Sequence, residues 1–195
     1  TANNVIGLRN LDDAIKIKEI APKVNNIIIL GAGLVGVDAM AGLLDYDAKV
    51  TMIEMGDRIL PLQLDHYAAN VYIERLKEEG VDFRFNVRAE KVIVDENNNP
   101  VAIKLNTGEE VPGELIIACT GVRSNVGFLE GSGIECDKFG LIFNPKGETN
   151  VKDVYGAGDI SGRNPIWPTA VKEGLIAANN MCNKDIYMED FFGSK

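Results

Sequence analysis

The sequence predicts an α/β fold built on a parallel sheet, and two apolar segments carry the prediction. Residues 25–30, NNIIIL, form a short apolar run that is typical of a strand covered on both faces in a parallel sheet. The run leads into a glycine-rich turn, a segment of small apolar residues that favours a helix, and a second apolar run at 48–54. Strand, glycine turn, helix and strand in this order make a βαβ unit.

The other elements follow from periodicity and turn residues. Helices are expected where apolar residues recur at helical spacing, over residues 11–20, 34–46, 64–80 and 168–183. Further strands are expected over 81–86 and 114–121, with short strand-like pieces at 141–144 and 154–159. Turn residues at Asn97–Pro100 and at Thr107 and Gly108 predict a β-meander between residues 89 and 113.

Two helices carry apolar stripes that we expect to face the core. In the helix over 64–80 the stripe comprises Leu64, Tyr67, Ala68, Val71, Tyr72 and Leu76. In the helix over 168–183 the stripe comprises Val171, Leu175, Ala178 and Met181 or Cys182.

The glycine-rich turn has the spacing of a dinucleotide-binding site. Gly31, Gly33 and Gly36 form G-x-G-x-x-G between a strand and a helix. The first glycine permits a tight turn, the second lets the backbone approach a pyrophosphate, and the third lets helix and strand pack closely. We therefore expect the whole turn to contact the cofactor, which adds Ala32, Leu34 and Val35.

An acid at the end of the second strand supports the same prediction. Glu54 lies 18 residues after Gly36, close to the spacing of about 20 expected for an acid that binds the adenosine ribose. A carboxylate there also repels a 2′-phosphate. Met55 beside it, which we also expect to contact the cofactor, adds no positive charge, and Arg58 does not cancel the acid. The sequence therefore favours NADH over NADPH. A glycine turn without a ligand, or one serving another cofactor such as S-adenosylmethionine, remains an alternative.

Composition excludes several function classes. The net charge is −9 with scattered acids, so no basic patch for nucleic acid or an anionic membrane is expected. No apolar run reaches the roughly 20 residues of a membrane span. The three cysteines are widely spaced and only one histidine, His66, is present, which argues against a disulfide framework or a metal site and favours the cytoplasm. Cys119 is expected in the core and His66 at the surface or as a cap.

Several segments in order resemble the FAD-dependent pyridine nucleotide–disulfide oxidoreductases. The stretch IIILGAGLVGVDAMAGL, followed by KVTMIEMGDRILP, is similar to the NADH-binding domain of that family. LIIACTGVRSN resembles the family's exit motif A-T-G-x-x-P-N, and TNVKDVYGAGD resembles its second flavin-contacting motif. The final IWPTAVKEGLIAANNM is similar to NADH oxidases, rubredoxin or ferredoxin reductases and coenzyme A-disulfide reductases.

The resemblance implies roles for further residues. Asp38, at the first turn of the glycine-loop helix, would lie near the nicotinamide, and Gly121 would line the nicotinamide by backbone contact. Gly158 and Asp159 would contact the flavin, the acid through its ribityl chain, and Trp167 would pack near it. Asp38 stands where the family often has Glu, and Ser124 replaces the proline of the exit motif. For Asp38 a simple helix-dipole role stays open, for Gly121 a tight turn, and for Asp159 a cap.

The resemblance also implies that the chain is the middle of a longer enzyme. The family's first G-x-G-x-x-G for FAD, its redox cysteines and its interface domain have no counterpart here. We expect a Rossmann-like, three-layer NADH-binding domain over 23–122, a lead-in over 1–22 belonging partly to the FAD domain, and an incomplete FAD domain over 123–195. The parent would pass hydride from NADH to FAD and on to a disulfide, oxygen or a redox protein, and it could form a homodimer. The chain alone should bind FAD poorly and be inactive.

Two other functions remain open at this stage. The chain could be a stand-alone module that binds or senses NAD without chemistry. It could also be a small independent Rossmann enzyme, such as a methyltransferase. The flavin-type motif over 149–159 argues against both, since neither needs it.

Overall fold

The structure of the protein is a computed structural model that describes residues 2–188. The chain divides between Gly121 and Val122 into two compact units. The segment 1–22, expected to belong partly to a flavin domain, contributes a strand and a helix to the first unit. Among the described residues, no helix is long and apolar enough to cross a membrane.

The first unit is built on a five-stranded parallel sheet, as the sequence predicted. Its strands lie in the order β1, β8, β2, β3, β4, and every neighbouring pair is parallel. Their bounds are Val5–Gly7 for β1, Asn26–Leu30 for β2, Lys49–Ile53 for β3, Asp82–Arg84 for β4 and Leu115–Ala118 for β8. The carboxyl ends of β2 and β3 are adjacent, with Leu30 opposite Ile53.

Three helices follow the strands of this sheet. They are α1 at Leu11–Ile20, α2 at Leu34–Ala41 and α3 at His66–Glu78. Helix α2 ends five residues before the predicted end at 46, because the chain turns at Gly42. Helix α3 begins at its N-cap Asp65, whose carboxylate accepts the Ala68 N–H at 2.8 Å. Such a cap contributes about 1 kcal/mol.

The parallel sheet is the central layer of three. Ile27 and Ile29 of β2 belong to one core cluster with residues of the helices, whereas Ile28 between them belongs to a second cluster on the opposite face. That second cluster includes Ile103 and Val111 of the antiparallel β-meander. The meander comprises β5 at Ala89–Val94, β6 at Pro100–Leu105 and β7 at Glu110–Pro112. The predicted three-layer α/β fold is confirmed.

The second unit has little regular structure apart from one helix. Helix α4 spans Trp167–Met181, and short 3-10 turns lie at Gly127–Leu129 and Gly158–Ser161. The strand-like pieces expected at 141–144 and 154–159 form no strand in the described part of this unit. They contribute only isolated bridges, Cys136 to Leu141 and Glu148 to Tyr155.

The predicted inner stripe of α3 was right for Leu64 and Leu76, which pack against the core, and wrong for Tyr67, Val71 and Tyr72. Tyr67 is 82% exposed, and Val71 and Tyr72 are exposed as well. The buried residues of this helix are Ala69 and Ile73, against which Leu76 and Leu64 pack in the same cluster. The true inner face lies beside the predicted one and shares Leu64 and Leu76 with it.

The predicted inner stripe of α4 was wrong as well. Val171, Leu175, Ala178, Met181 and Cys182 are all exposed. The buried face carries Thr169, Ile176, Ala177 and Asn180 instead. Trp167, which was expected to pack near the flavin, is 77% exposed within the described residues.

Candidate functional site

The glycine turn between β2 and α2 needs two of its glycines for its own geometry. Gly31 has a φ of +98°, and a Cβ there would stand 2.5 Å from the carbonyl oxygen of Cys119. A Cβ on Gly36 would stand 2.0 Å from the carbonyl oxygen of Gly31. Both distances are too short for any side chain, so these two glycines let β2, β8 and the start of α2 come together.

Gly33 differs, because no contact within residues 2–188 requires it to be a glycine. Its φ of −77° suits any residue, and a Cβ built there meets no atom within 4 Å. The open space in front of Gly33 is therefore a place where another molecule can approach the backbone closely. The second glycine of the motif was predicted to have this role.

Helix α2 begins directly behind that open space. Gly33 is its N-cap, and no side chain caps the helix. The first N–H groups of an α-helix have no partner within the helix, and the helix dipole makes this end partly positive. The turn can therefore bind an anion such as a diphosphate through backbone N–H groups. Leu34 and Val35, at the start of α2, expose their apolar side chains there.

Glu54 follows β3 at the same edge of the sheet. One carboxylate oxygen accepts the N–H of Ala32 at 2.8 Å, and the other accepts the N–H of Gly56 at 2.7 Å. The acid thus connects the glycine turn to the turn that follows β3. Each oxygen keeps a further lone pair for a ligand hydroxyl group. Met55 beside it is 69% exposed.

Arg58 is the cation of this loop, and the loop itself engages it. Its guanidinium donates to the carbonyl oxygens of Leu64 at 3.1 Å and Pro61 at 3.1 Å, and to the carboxylate of Asp57 at 2.8 Å. The side chain is only 21% exposed. Arg58 therefore stabilises the loop and is not available to a phosphate without breaking these bonds.

The same loop braces the glycine turn. The N–H of Leu60 donates to the carbonyl oxygen of Ala32 at 2.8 Å, and Leu60 has a φ of +47°. Positive φ is uncommon for a bulky residue and carries strain. His66, near the surface as predicted, lies 3.5 Å from the Asp57 carboxylate, and Asp65 rather than His66 caps α3.

We expected Asp38 in the first turn of α2, but it lies outside that turn. The first turn carries no acid, and Asp38 lies one turn further along. There it lines a cavity of about 460 Å³ between α1 and α2, together with Leu8, Ala14 and Tyr46. Gly121 follows β8 with a φ of +90°, so its backbone conformation alone accounts for the glycine.

Cys119 at the end of β8 is half-buried and packs against the core, as predicted. Its Cβ lies 3.6 Å from where a Cβ on Gly36 would be. Burial raises the pKa of its thiol to about 11. The residue therefore fills space under the glycine turn and is not poised as a nucleophile.

In the second unit, Gly158 and Asp159 open the 3-10 turn Gly158–Ser161. Gly158 is buried with a φ of +78°, whereas the Asp159 side chain is exposed. Glu173 of α4 accepts the Gly158 N–H at 2.6 Å. Burial raises the pKa of the Glu173 carboxyl, this hydrogen bond lowers it, and the negative charge of Asp159 raises it.

Two serines hold the same turn. Ser161 donates its hydroxyl to the carbonyl oxygen of Gly158 at 3.2 Å, and Ser124 donates to the carbonyl oxygen of Asp159 at 2.8 Å. Sequence reasoning noted Ser124 only as a departure from a motif and missed Glu173 and Ser161. No local signal could have revealed Glu173 or Ser124, because their partners lie 15 and 35 residues away.

Glu173 and Ser161 also line a cavity of about 350 Å³ in this unit. Thr169, Arg163 and Asn144 contribute polar groups to the same cavity. Arg163 is paired with Asp137, so its charge is already compensated. Within residues 2–188 no group of histidine, cysteine or acidic side chains could hold a metal ion.

Comparisons with known proteins agree with one another. The NAD(P)H coenzyme A polysulfide/persulfide reductase of Pyrococcus horikoshii is 29% identical over 93% of this chain and 43% of its own length. The rubredoxin-NAD(+) reductase of Ectopseudomonas oleovorans is 26% identical over 92% of this chain and 49% of its own length. A water-forming NADH oxidase from Lactobacillus brevis superposes with a TM-score of 0.84 at 21% identity, over 95% of this chain and 43% of the oxidase.

The chain thus spans less than half the length of these two curated relatives. The family model described as pyridine nucleotide-disulphide oxidoreductase matches residues 1–174, which is most of the sequence. The glycine turn, the acid after β3 and the motifs that follow β8 all lie within the matched residues. The chain belongs to the pyridine nucleotide-disulphide oxidoreductase family.

Proposed function

We propose that this chain is the NADH-binding portion of a flavin-dependent oxidoreductase, with part of the FAD-binding domain attached. The observation that carries the first half of the proposal is the open space at Gly33. The fold explains Gly31 and Gly36 by contact distances of 2.5 and 2.0 Å, but it does not explain Gly33. A dinucleotide whose diphosphate lies against the turn explains it, since a side chain there would displace the phosphates.

The residues present fit the diphosphate and the adenosine ribose of NADH. The uncapped start of α2 would receive the diphosphate, and the carboxylate of Glu54 would accept hydrogen bonds from the adenosine ribose. Leu34, Val35 and Met55 offer exposed apolar surface beside them. Ala32 gives its N–H to Glu54, so it would act by holding the acid.

The same groups support a preference for NADH over NADPH. A 2′-phosphate would meet the negative charge of Glu54. The cation that could compensate it, Arg58, is bound to two carbonyl oxygens and to Asp57. Withdrawing Arg58 from these partners would cost several hydrogen bonds, each worth about 1 kcal/mol.

The second unit would supply one wall of the flavin site through Gly158 and the exposed side chain of Asp159. FAD, when bound, would accept the hydride from NADH and pass electrons on. The names of the relatives include reductases of persulfides and rubredoxin and an oxidase that forms water. We propose an acceptor from these classes for the complete protein. Most of a cofactor's surface is buried in its site, so this chain alone should bind FAD poorly and be inactive.

Titration of the purified chain with NADH and with NADPH tests the proposal. We expect binding of NADH, followed by the quenching or shift of its fluorescence, and affinity for NADPH at least tenfold lower. The complete protein should purify yellow and oxidise NADH with an artificial electron acceptor. A chain that binds neither nucleotide would refute the proposal. A complete protein that binds NADH but no flavin would instead support a binding module without chemistry.

A further inference from the structure

The short turn that carries Asp159 depends on the surrounding residues for its backbone conformation. It is a single 3-10 turn of four residues, Gly158–Ser161, preceded by extended chain at Ala157. Short 3-10 segments have poor hydrogen-bond geometry and rely on their surroundings. Gly158 has a φ of +78°, and a Cβ there would lie 3.2 Å from the Cβ of Ala170. The backbone is therefore both unusual in conformation and closely confined.

Three side chains of the second unit, two from outside the turn and one from within it, bind this backbone. Glu173 accepts the Gly158 N–H at 2.6 Å, Ser161 donates to the Gly158 carbonyl at 3.2 Å, and Ser124 donates to the Asp159 carbonyl at 2.8 Å. All three bonds are made to the main chain. The Asp159 side chain, in contrast, is exposed.

Of these three contacts, the one made by Glu173 requires a charged group to be partly buried beside another acid. Its carboxyl is half-buried, and both its burial and the neighbouring charge of Asp159 raise its pKa. A desolvated carboxylate next to another acid is unfavourable unless it is hydrogen-bonded. The Gly158 N–H compensates part of this cost, and hydrogen bonds to charged groups are roughly twice as strong as neutral ones. An apolar side chain would serve the packing of α4 without that cost.

We propose that Glu173 is a positioning residue for the flavin: through the Gly158 N–H it holds the turn so that the Asp159 carboxylate faces the cofactor. The proposal rests on the proposed function of the second unit. Ser124 also helps to hold the turn, through the carbonyl group of Asp159. Neither side chain needs to touch the flavin.

The test uses the complete protein that carries this chain, purified with its flavin, and compares Glu173→Ala with Glu173→Gln. The amide oxygen of Gln can accept the same N–H without a charge. One readout is amide hydrogen exchange of the peptide covering residues 157–163, which reports the turn directly. The other is the dissociation constant of FAD, followed by the rise in flavin fluorescence on release. Glu130→Ala, at an exposed acid of the same unit, is the matched control.

We expect Glu173→Ala to speed exchange of that peptide and to weaken FAD binding about tenfold, the effect of losing one charge-assisted hydrogen bond. Glu173→Gln should recover most of both. Glu130→Ala should change neither, and Asp159→Asn should weaken FAD binding without faster exchange. Should Glu173→Ala fail to fold, Ser124→Ala gives a second measurement, with a smaller effect in the same direction.

Unchanged exchange in Glu173→Ala, or faster exchange with unaltered FAD affinity, would overturn the positioning role. Equal loss in the Gln and Ala variants would do so as well, because the hydrogen bond would then not be responsible. A wild-type protein that binds no FAD would refute the proposed function of this unit and the inference with it. That result differs from the others, since it appears before any substitution is made.

Discussion

Replacement of Gly33 separates nucleotide binding from folding. A Cβ at Gly33 meets no protein atom within 4 Å, and its φ of −77° is open to any residue. Gly33→Ala therefore costs only the difference in N-cap preference, about 0.5–1 kcal/mol. For a unit of this size that is a fall in Tm of about 4 °C. We expect Gly33→Val to leave the fold largely intact as well, since its Cβ would meet no atom of the described residues within 4 Å.

The expected effect on binding is much larger. A side chain at Gly33 would occupy the space in front of the first N–H groups of α2 and push a bound diphosphate away from them. Loss of two hydrogen bonds to a charged group, at about 1.5 kcal/mol each, is about 3 kcal/mol, or more than a hundredfold in affinity. We expect Gly33→Val to abolish measurable NADH binding and Gly33→Ala to weaken it by a smaller factor.

Gly36→Ala is the matched control, because its Cβ would lie 2.0 Å from the carbonyl oxygen of Gly31. We expect this variant to lose stability and binding together, with a fall in Tm of about 10 °C for the roughly 3 kcal/mol of overpacking. Isothermal titration with NADH and thermal unfolding of each variant decide the matter. NADH affinity in Gly33→Val equal to that of the wild type would show that the diphosphate does not lie at this turn, and the reasoning would fail.

Two substitutions and one labelling experiment have expected outcomes. Glu54→Arg should shift the ratio of NADH to NADPH affinity toward NADPH. Glu54→Gln is the control for the lost hydrogen bonds to Ala32 and Gly56. An unchanged affinity ratio in fluorescence titration would mean that the acid faces away from the ribose. At pH 8 the thiolate of Cys119 should be about one part in a thousand, given its pKa of about 11, so iodoacetamide followed by peptide mass spectrometry should label the exposed Cys136 and Cys182 first. Preferential labelling of Cys119 would contradict its burial. Asp65→Ala should lower the stability of the first unit by about 1 kcal/mol through loss of the cap on Ala68, whereas Asp65→Asn should keep most of it; equal unfolding midpoints for the two variants would exclude a capping role.

The sequence predicted the first unit well because its elements are specified locally. The run IIIL at Ile27–Leu30 is apolar at every position, so its burial on both faces did not depend on knowing its neighbours. The turns of the meander and the acid after β3 have short-range signals as well.

The helical stripes could not be resolved in the same way. In α3 the buried Ala69 and Ile73 lie at helical spacing with Leu76, which the predicted stripe also contained, and periodicity does not decide between two adjacent arcs. In α4 the buried face includes Asn180, which donates to the carbonyl oxygens of Lys146 and Ile186. A polar residue satisfied by distant chain cannot be recognised as buried from its neighbours in sequence.

The glycine motif shows what a structure adds to a correct prediction. In the sequence Gly31, Gly33 and Gly36 belong to one pattern, which assigns the approach of the pyrophosphate to Gly33 alone. The distances divide them, because Gly31 and Gly36 are glycines for reasons internal to the fold and would be so in a unit that bound nothing. The functional information therefore resides in Gly33, whose lack of a side chain has no internal cause. A fold that used the turn only for packing would tolerate alanine there. A variant of Gly33 that keeps its unfolding temperature but loses affinity for NADH would therefore distinguish a cofactor site from a structural turn.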